Sequence, residues 1–365
     1  HTRYIGDWSS DVCSSDLNIN NVLSKYSSPP CFKTSMQYLL TNCVYALLVL
    51  GCTILLENYM NPYLLFILYS VVMGTVCMGL WVLGHECGHG AFGSNTFQND
   101  IVGYILHSSL LVPYFSWKYS HEKHHKYCNH LTLGETHVPF VKKDLSPTVQ
   151  LHNIIGDDAF AIFNLINHLI FGWPAYLFSN VTGGRKQIDL KTDIDNNKWK
   201  DHFHSNSQVM KKTWRIELST IGCITTLYTV INSLGWSSLF WYFGPYLVIN
   251  MWLVVYTWLQ HTHPDVPHYG NDSFTFLKGA LSTIDRPYPK IIDDLHHHIG
   301  STHVMHHLKY SIPHYRAQQC TKELKIILQK HYRFDSTPIL ESLLKTAKSC
   351  HYVDDITGIQ KYKKF

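Results

Sequence analysis

Residues 63–89 read YLLFILYSVVMGTVCMGLWVLGHECGH. The stretch 63–83 is 21 residues without a single charge. As a helix it would reach roughly 31 Å, enough to cross the hydrocarbon core of a bilayer. His85 and His89 follow at once, one turn apart and therefore on one face. The same beat returns in His121-Glu122-Lys123-His124-His125 and in His303-Val304-Met305-His306-His307. Each cluster aims two or three imidazoles at one point. Eight such donors are too many for one ion and suit two. The sequence predicts a membrane-embedded protein that holds two metal ions.

Three more runs are apolar and long enough to span, at about 38–56, 216–234 and 238–259. Two weaker runs, 101–115 and 159–178, are respectively short and interrupted by Asn164, Asn167, His168 and Pro174. Parity decides between them. All three clusters must emerge on one side, so an even number of crossings separates the second cluster from the third. The spans 216–234 and 238–259 satisfy this, and adding 159–178 would break it. The two weak runs are therefore expected to be interfacial or re-entrant. Charge agrees: the connections 57–62 and 235–237 carry no Lys or Arg, whereas 179–215 carries Arg185, Lys186, Lys191, Lys198, Lys200, Lys211, Lys212 and Arg215. By the positive-inside rule every His cluster faces the cytosol.

The expected fold is all-α and integral to the membrane. Four transmembrane helices form two hairpins under a cytosolic helical cap that holds a His-rich two-metal site. In domain terms, 1–17 reads as non-native sequence and 18–37 as a polar segment on the membrane surface. A core domain spans 38–335, and 336–365 reads as a cytosolic C-terminal tail.

Composition narrows the class further. The formal charge of +4 is diffuse and gives no sign of nucleic-acid binding. Ten cysteines lack paired spacing, and Cys43, Cys52, Cys77, Cys87 and Cys223 fall in or beside apolar runs, which excludes a disulfide framework and a CxxC zinc site. The outlier is histidine, 25 residues against 26 acids.

Two rivals are weighed on the same residues. His85-Glu86-Cys87-Gly88-His89 also reads as the H-E-x-x-H pattern of zinc proteases. A catalytic zinc needs three protein ligands, which leaves the second and third clusters without a role, and Gly88 and Gly90 weaken the motif helix. A metal transporter would carry its ligands at mid-membrane depth rather than beyond the spans. Oxidation of an unactivated C–H bond in an acyl chain does require a metal site beside lipid. Iron with open positions activates O2, and the protein supplies geometry, exclusion of water and access for electrons. Behind the ligands, carboxylates should orient the imidazoles; Glu86, Asp285, Asp293 and Asp294 are candidates, with His297 in the run His296-His297-His298. His261, at the cytosolic exit of the last span, is a further ligand candidate.

The stretches HECGHGAF (85–92), SWKYSHEKHHKYCNHL (116–131), ETHVP (135–139), LQHTHPDVPHY (259–269), GALSTIDRPY (279–288), HHIGSTHVMHHL (297–308) and IPHYRA (312–317) resemble the membrane-bound fatty acid desaturases. The similarity lies with the methyl-end branch, the omega-6 (delta-12) and omega-3 acyl-lipid desaturases, and covers the chain from about Pro30 onward. It implies two iron ions, O2 as co-substrate, an acyl-phospholipid substrate and the endoplasmic reticulum membrane. It also implies that His261 stands where the family supplies an additional ligand. Electrons are implied to come from cytochrome b5 and its reductase. No His-Pro-Gly-Gly haem motif occurs here, so both are expected as separate proteins. Glu86 leans toward delta-12 chemistry and the Ile299-Gly300-Ser301-Thr302 lead-in toward omega-3, while Met305 fits neither pattern. Delta-12 desaturation is favoured, with omega-3 or bifunctional desaturation as the alternative and hydroxylase or conjugase variants on the same scaffold. Pro113 to Trp117, Trp252, Tyr256 and Trp258 are plausible linings of the acyl tunnel.

Overall fold

The computed structural model describes residues 12–183, 201–203 and 213–365. Of the basic residues noted between 179 and 215, all but Arg215 lie outside them. In chain order the helices are α1 (Val12–Tyr26), α2 (Phe32–Leu56), α3 (Pro62–Gly88), α4 (Thr96–Ser109), α5 (Tyr114–Lys126), α6 (Ser146–Ile155) and α7 (Asp157–Ser179). They continue with α8 (Thr213–Leu234), α9 (Gly244–His261), α10 (Phe276–Ala280), α11 (Lys290–Leu295), α12 (His303–Leu308), α13 (His314–Leu328) and α14 (Ile339–Ser349). The described strands, β1 (Pro267–Tyr269) and β2 (Ile359–Lys361), pair antiparallel. Among the described residues the protein is all-α apart from that short ribbon.

Helix α3 is central because its sequence starts and stops it cleanly. Asn61 caps it by accepting from the N–H groups of Tyr63 and Leu64, and Pro62 occupies the first turn. The helix continues through Gly88, past the end of its apolar run, so His85 leaves the span still helical. It packs against α2, α4 and α9. A Cβ at Gly74 would stand 2.6 Å from the Pro245 carbonyl oxygen and the Val248 Cβ, so glycine there sets how closely α3 and α9 cross. A buried cluster that includes Trp81, Val82, Trp173, Leu253, Val254 and Trp258 joins α3, α7 and α9. The outward faces of α2, α3 and α8 expose Leu40, Leu47, Leu55, Ile67, Val71, Ile221 and Ile231. Apolar surface of that extent on long helices is a lipid-facing surface.

Among the described residues, five helices are long and apolar enough to cross a membrane, one more than expected. The extra one is α7, and its contacts set it apart. Near its N-terminal end Asp158 pairs with Lys348 of α14 at 2.5 Å, and Asn164 donates to the Ala347 carbonyl at 3.4 Å. Near its other end the Tyr176 hydroxyl lies 2.8 Å from Ser120 Oγ of α5, and Asn180 donates to Glu135 at 3.3 Å. Between them Gly172 and His168 meet Val254 and Trp258, on the half of α9 that ends at His261. Both ends of α7 therefore contact other segments, α14 at one end and α5 with Glu135 at the other. The run 101–115 is not one helix at all. It breaks at Leu110–Pro113 between α4 and α5, with Leu111 in the left-handed region.

Two segments set apart from sequence are built into the body. Helix α1 buries Ile19, Val22 and Leu23 in a core shared with α12 and α13. Its apolar stripe was too short to read as a packing face. The C-terminal segment is no free tail: α14 packs on α7 and α9, burying Leu343 and Ala347. Arg286, wholly buried, clamps that segment by donating to Asp335 at 2.6 Å and Ser342 at 2.8 Å.

Candidate metal centre

Four helices deliver imidazoles to one place. His85 and His89 come from the end of α3, and His121, His124 and His125 from α5. His261 is the last residue of α9, while His303, His306 and His307 form one face of α12. Potential ligand atoms of His85, His89, His121, His125 and His306 all lie within 4.8 Å of one another. A second set of that tightness holds His124, His261 and His307 with Cys128. His303 adjoins the second set, its Nε2 being 3.0 Å from that of His261.

The spacing fits metal ligation. Nε2 to Nε2 distances are 3.1 Å for His85–His89, 3.1 Å for His121–His125 and 3.2 Å for His124–His261. Two nitrogens each ~2.1 Å from one ion and at right angles to each other would stand ~3.0 Å apart. Imidazoles this crowded cannot satisfy one another, since each neutral ring offers one proton and one lone pair. His306 Nε2 and both ring nitrogens of His307 are buried without a hydrogen-bond partner. Burial first, and neighbouring imidazoles second, hold His89, His121, His125, His303 and His307 well below the usual histidine range. His124 is lowered to about 3 by burial, with His85 adding to it. Neutral rings are the form that binds metal.

The role of Cys128 needs separating from that of His303. Cys128 Sγ approaches His261 through Nδ1, at 3.6 Å, whereas His124 and His303 approach the same ring through Nε2. Burial also pushes the Cys128 thiol well up, which keeps it protonated. The sulfur therefore stands behind His261, and the donors that face inward are His124, His261, His303 and His307.

The adjacent pairs split between the two sets. His125 and His306 belong to the first, His124 and His307 to the second. Successive residues on a helix point about 100° apart, so a His-His pair can serve both sets at once. The sets abut there, with His125 and His307 rings stacked at 4.2 Å.

The carboxylates divide. Glu86 Oε1 is 3.6 Å from His85 Nδ1, and its Oε2 accepts from the His314 N–H at 2.9 Å. Asp285 accepts from the Val304 N–H at 2.7 Å and from the Tyr332 hydroxyl, and so holds the first turn of α12. Burial pushes Asp285 up to about 7. Asp293 accepts from His298 Nδ1 and Ser301 Oγ and braces the approach to α12. Asp294 does none of this: it is on the surface, paired with Lys290. His297 is buried at a left-handed backbone position with its ring 4.7 Å from His314, and its recorded ring contacts include no imidazole of either set. Sequence proximity to α12 drew both toward the site; the six-residue helix α11 leaves Asp294 on the surface, whereas His297 lines a small cavity with Glu86 and His306.

Some participants were not singled out from sequence. Thr136 Oγ1 lies 2.9 Å from His124 Nδ1 and accepts its proton when Nε2 faces inward. His137 stacks on His261 at 5.5 Å. Their only signal was membership of the Glu135-Thr136-His137-Val138-Pro139 stretch. Trp117 packs on His121 at 4.6 Å, and a Cβ at Gly88 would meet that indole at 2.8 Å.

An apolar cavity meets both sets. Met78, Trp81, Trp117, Trp173, Tyr256 and Trp258 line it, together with His85 and His121 of the first set and His124, His261 and His303 beside the second. Of the linings expected, Trp117, Tyr256 and Trp258 are there. Trp252 instead donates to Thr75 at 3.0 Å, and Tyr114 fills the packing between α4 and α5.

A membrane helical bundle with paired imidazole sets beside an apolar cavity defines a class of metal-dependent proteins acting on lipid. The match to known sequences is narrower. Residues 61–337 match the fatty acid desaturase family, and the chain belongs to it. It is 36% identical over 327 residues to a delta(12) fatty acid desaturase of Mortierella alpina, covering 84% of this chain and 79% of the relative. It is 37% identical over 346 residues to a delta(12)-fatty-acid desaturase of Arabidopsis thaliana, covering 91% and 86%. An oleoyl-12-hydroxylase of Ricinus communis is also 37% identical, over 303 residues, covering 81% and 74%.

Proposed function

We propose that this chain is an acyl-lipid desaturase that places a cis double bond at the delta-12 position of an oleoyl chain. The observation that carries this is the pair of adjoining imidazole sets at the end of an apolar cavity. Two iron ions held by these donors would supply the oxidising power, so that one O2, two electrons and two protons take two vicinal hydrogens and leave as two waters. The nine imidazoles fix the positions from which that oxidation acts. Trp81, Trp117 and Trp258 wall the cavity and exclude water from it. Thr136 and Glu86 keep rings from turning.

Four helices cross the membrane in this reading, α2, α3, α8 and α9, with α7 along the cap. The imidazoles then lie on the cytosolic side of the endoplasmic reticulum membrane, where the basic 179–215 segment also belongs. Separate cytochrome b5 and its reductase deliver the electrons there.

A second reading has a specific basis. Hydroxylation at carbon 12 uses the same site, and the hydroxylase relative is as similar as the desaturases. Expression in a yeast without polyunsaturated fatty acids separates them. New linoleate supports the delta-12 desaturase, product only from fed linoleate supports omega-3 action, and a hydroxylated acyl chain supports the second reading. Stable protein that yields none of these contradicts the proposal.

A further inference from the structure

His168 and Trp258, stacked with ring centroids 4.4 Å apart and planes within 9°, stand between two cavities. One is the cavity at the imidazoles. The other, of about 560 Å³, lies between α6, α7 and the C-terminal segment. His137, His168, Thr182 and Trp258 line both.

We propose that this outer cavity lodges the non-reacting acyl chain of a two-chain glycerolipid while the oleoyl chain enters the inner one. The inference rests on the reading that the substrate is an acyl lipid. It assigns a second binding site to this chain.

The walls state what fits. Leu145, Leu151, Phe160, Phe163, Val181 and Phe365 make the outer cavity apolar. Among the described residues that line it there is no Lys or Arg. A second hydrocarbon chain needs no countercharge from such walls. The mouth also opens the right way. Phe140 and Phe163 on the rim are 41% and 49% exposed, and Phe163 continues into the outward stripe Ile162, Ile166 and Ile170 of α7. That stripe is long enough to lie in lipid, so a chain passes from the bilayer into the cavity without crossing water.

The Thr182 and His137 side chains belong to the wall that the two cavities share. The C-terminal segment gains a purpose from this. Cys350, His351, Tyr362 and Phe365 close the outer cavity, and without them it would be an open groove.

Turnover of glycerolipids in nanodiscs tests the assignment. Each carries oleoyl at one position and a saturated chain varied from acetyl to stearoyl at the other, with KM expressed as surface mole fraction. The full-length protein should show a KM about tenfold lower for the stearoyl than for the acetyl lipid, as added buried methylenes favour binding. Leu151→Trp fills the outer cavity and should bring that ratio close to one, with product from the acetyl lipid proving the variant folded. Leu151→Ala empties it and should improve KM for a methyl-branched non-reacting chain. A native protein indifferent to the second chain, or a length dependence unchanged in both variants, overturns the proposal. Product from an acyl thioester but from no glycerolipid would instead overturn the substrate reading on which it rests.

Discussion

The two imidazole sets are built on different principles. The first draws His85 with His89 from α3 and His121 with His125 from α5, two pairs spaced one turn apart, and adds only His306 from elsewhere. Local helix geometry aligns four of its five rings before any tertiary contact forms. The second takes His124 from α5, His261 from the last residue of α9, and His303 and His307 from α12. No helix shorter than the whole bundle assembles it. The first set is therefore a property of two helices, and the second a property of the fold.

This contrast gives experiments of decreasing size. His261→Ala removes the ring that touches His124 and His303 at once. It should abolish product while the protein stays in the membrane, read by lipid profile and by fractionation. Retained product would take His261 out of the ligand set. Asp285→Ala strips the acceptor from the Val304 N–H and the Tyr332 hydroxyl. Leaving buried donors unmet costs about 1–3 kcal/mol each. A lower melting temperature is expected, with the second set losing metal before the first because α12 carries two of its rings. Thr136→Val should weaken metal binding at the second set by roughly 10–100-fold and leave the first unchanged. Equal weakening at both would erase the distinction.

Acid should act on the metal-free protein in a defined window. His124 titrates at about 3 when folded, against an ordinary value near 6.5, because burial disfavours its charge. Between those values the unfolded chain binds more protons, so stability falls as pH drops from about 6.5 toward about 3. Denaturant midpoints across that range measure it, and a flat profile would mean the rings are solvated. At the small end, Asp294→Ala should shift stability by less than about 0.5 kcal/mol and leave product unchanged.

How far the sequence reached follows the same division. Rings spaced at helical intervals could be read directly, because one-turn neighbours share a face whatever the surroundings. The assignment of adjacent rings to different sets needed the mutual placement of α5 and α12. Thr136 and Cys128 lie in the segment after α5, where no periodicity says which way a side chain points. Apolar length identified α2, α3, α8 and α9, but α7 has that length too, and its contacts with Ser120 and Ala347 could not be read from the sequence. The C-terminal segment looked like a tail because its burial depends on Arg286, a charged residue whose partners lie 49 and 56 positions away.

The most direct check is the iron content of purified protein, native and His261→Ala, by elemental analysis per chain. Two imidazole sets that each hold an ion give about two irons in the native protein and about one in the variant. A single metal in both, or zinc in place of iron, would contradict a paired iron site built from these nine histidines.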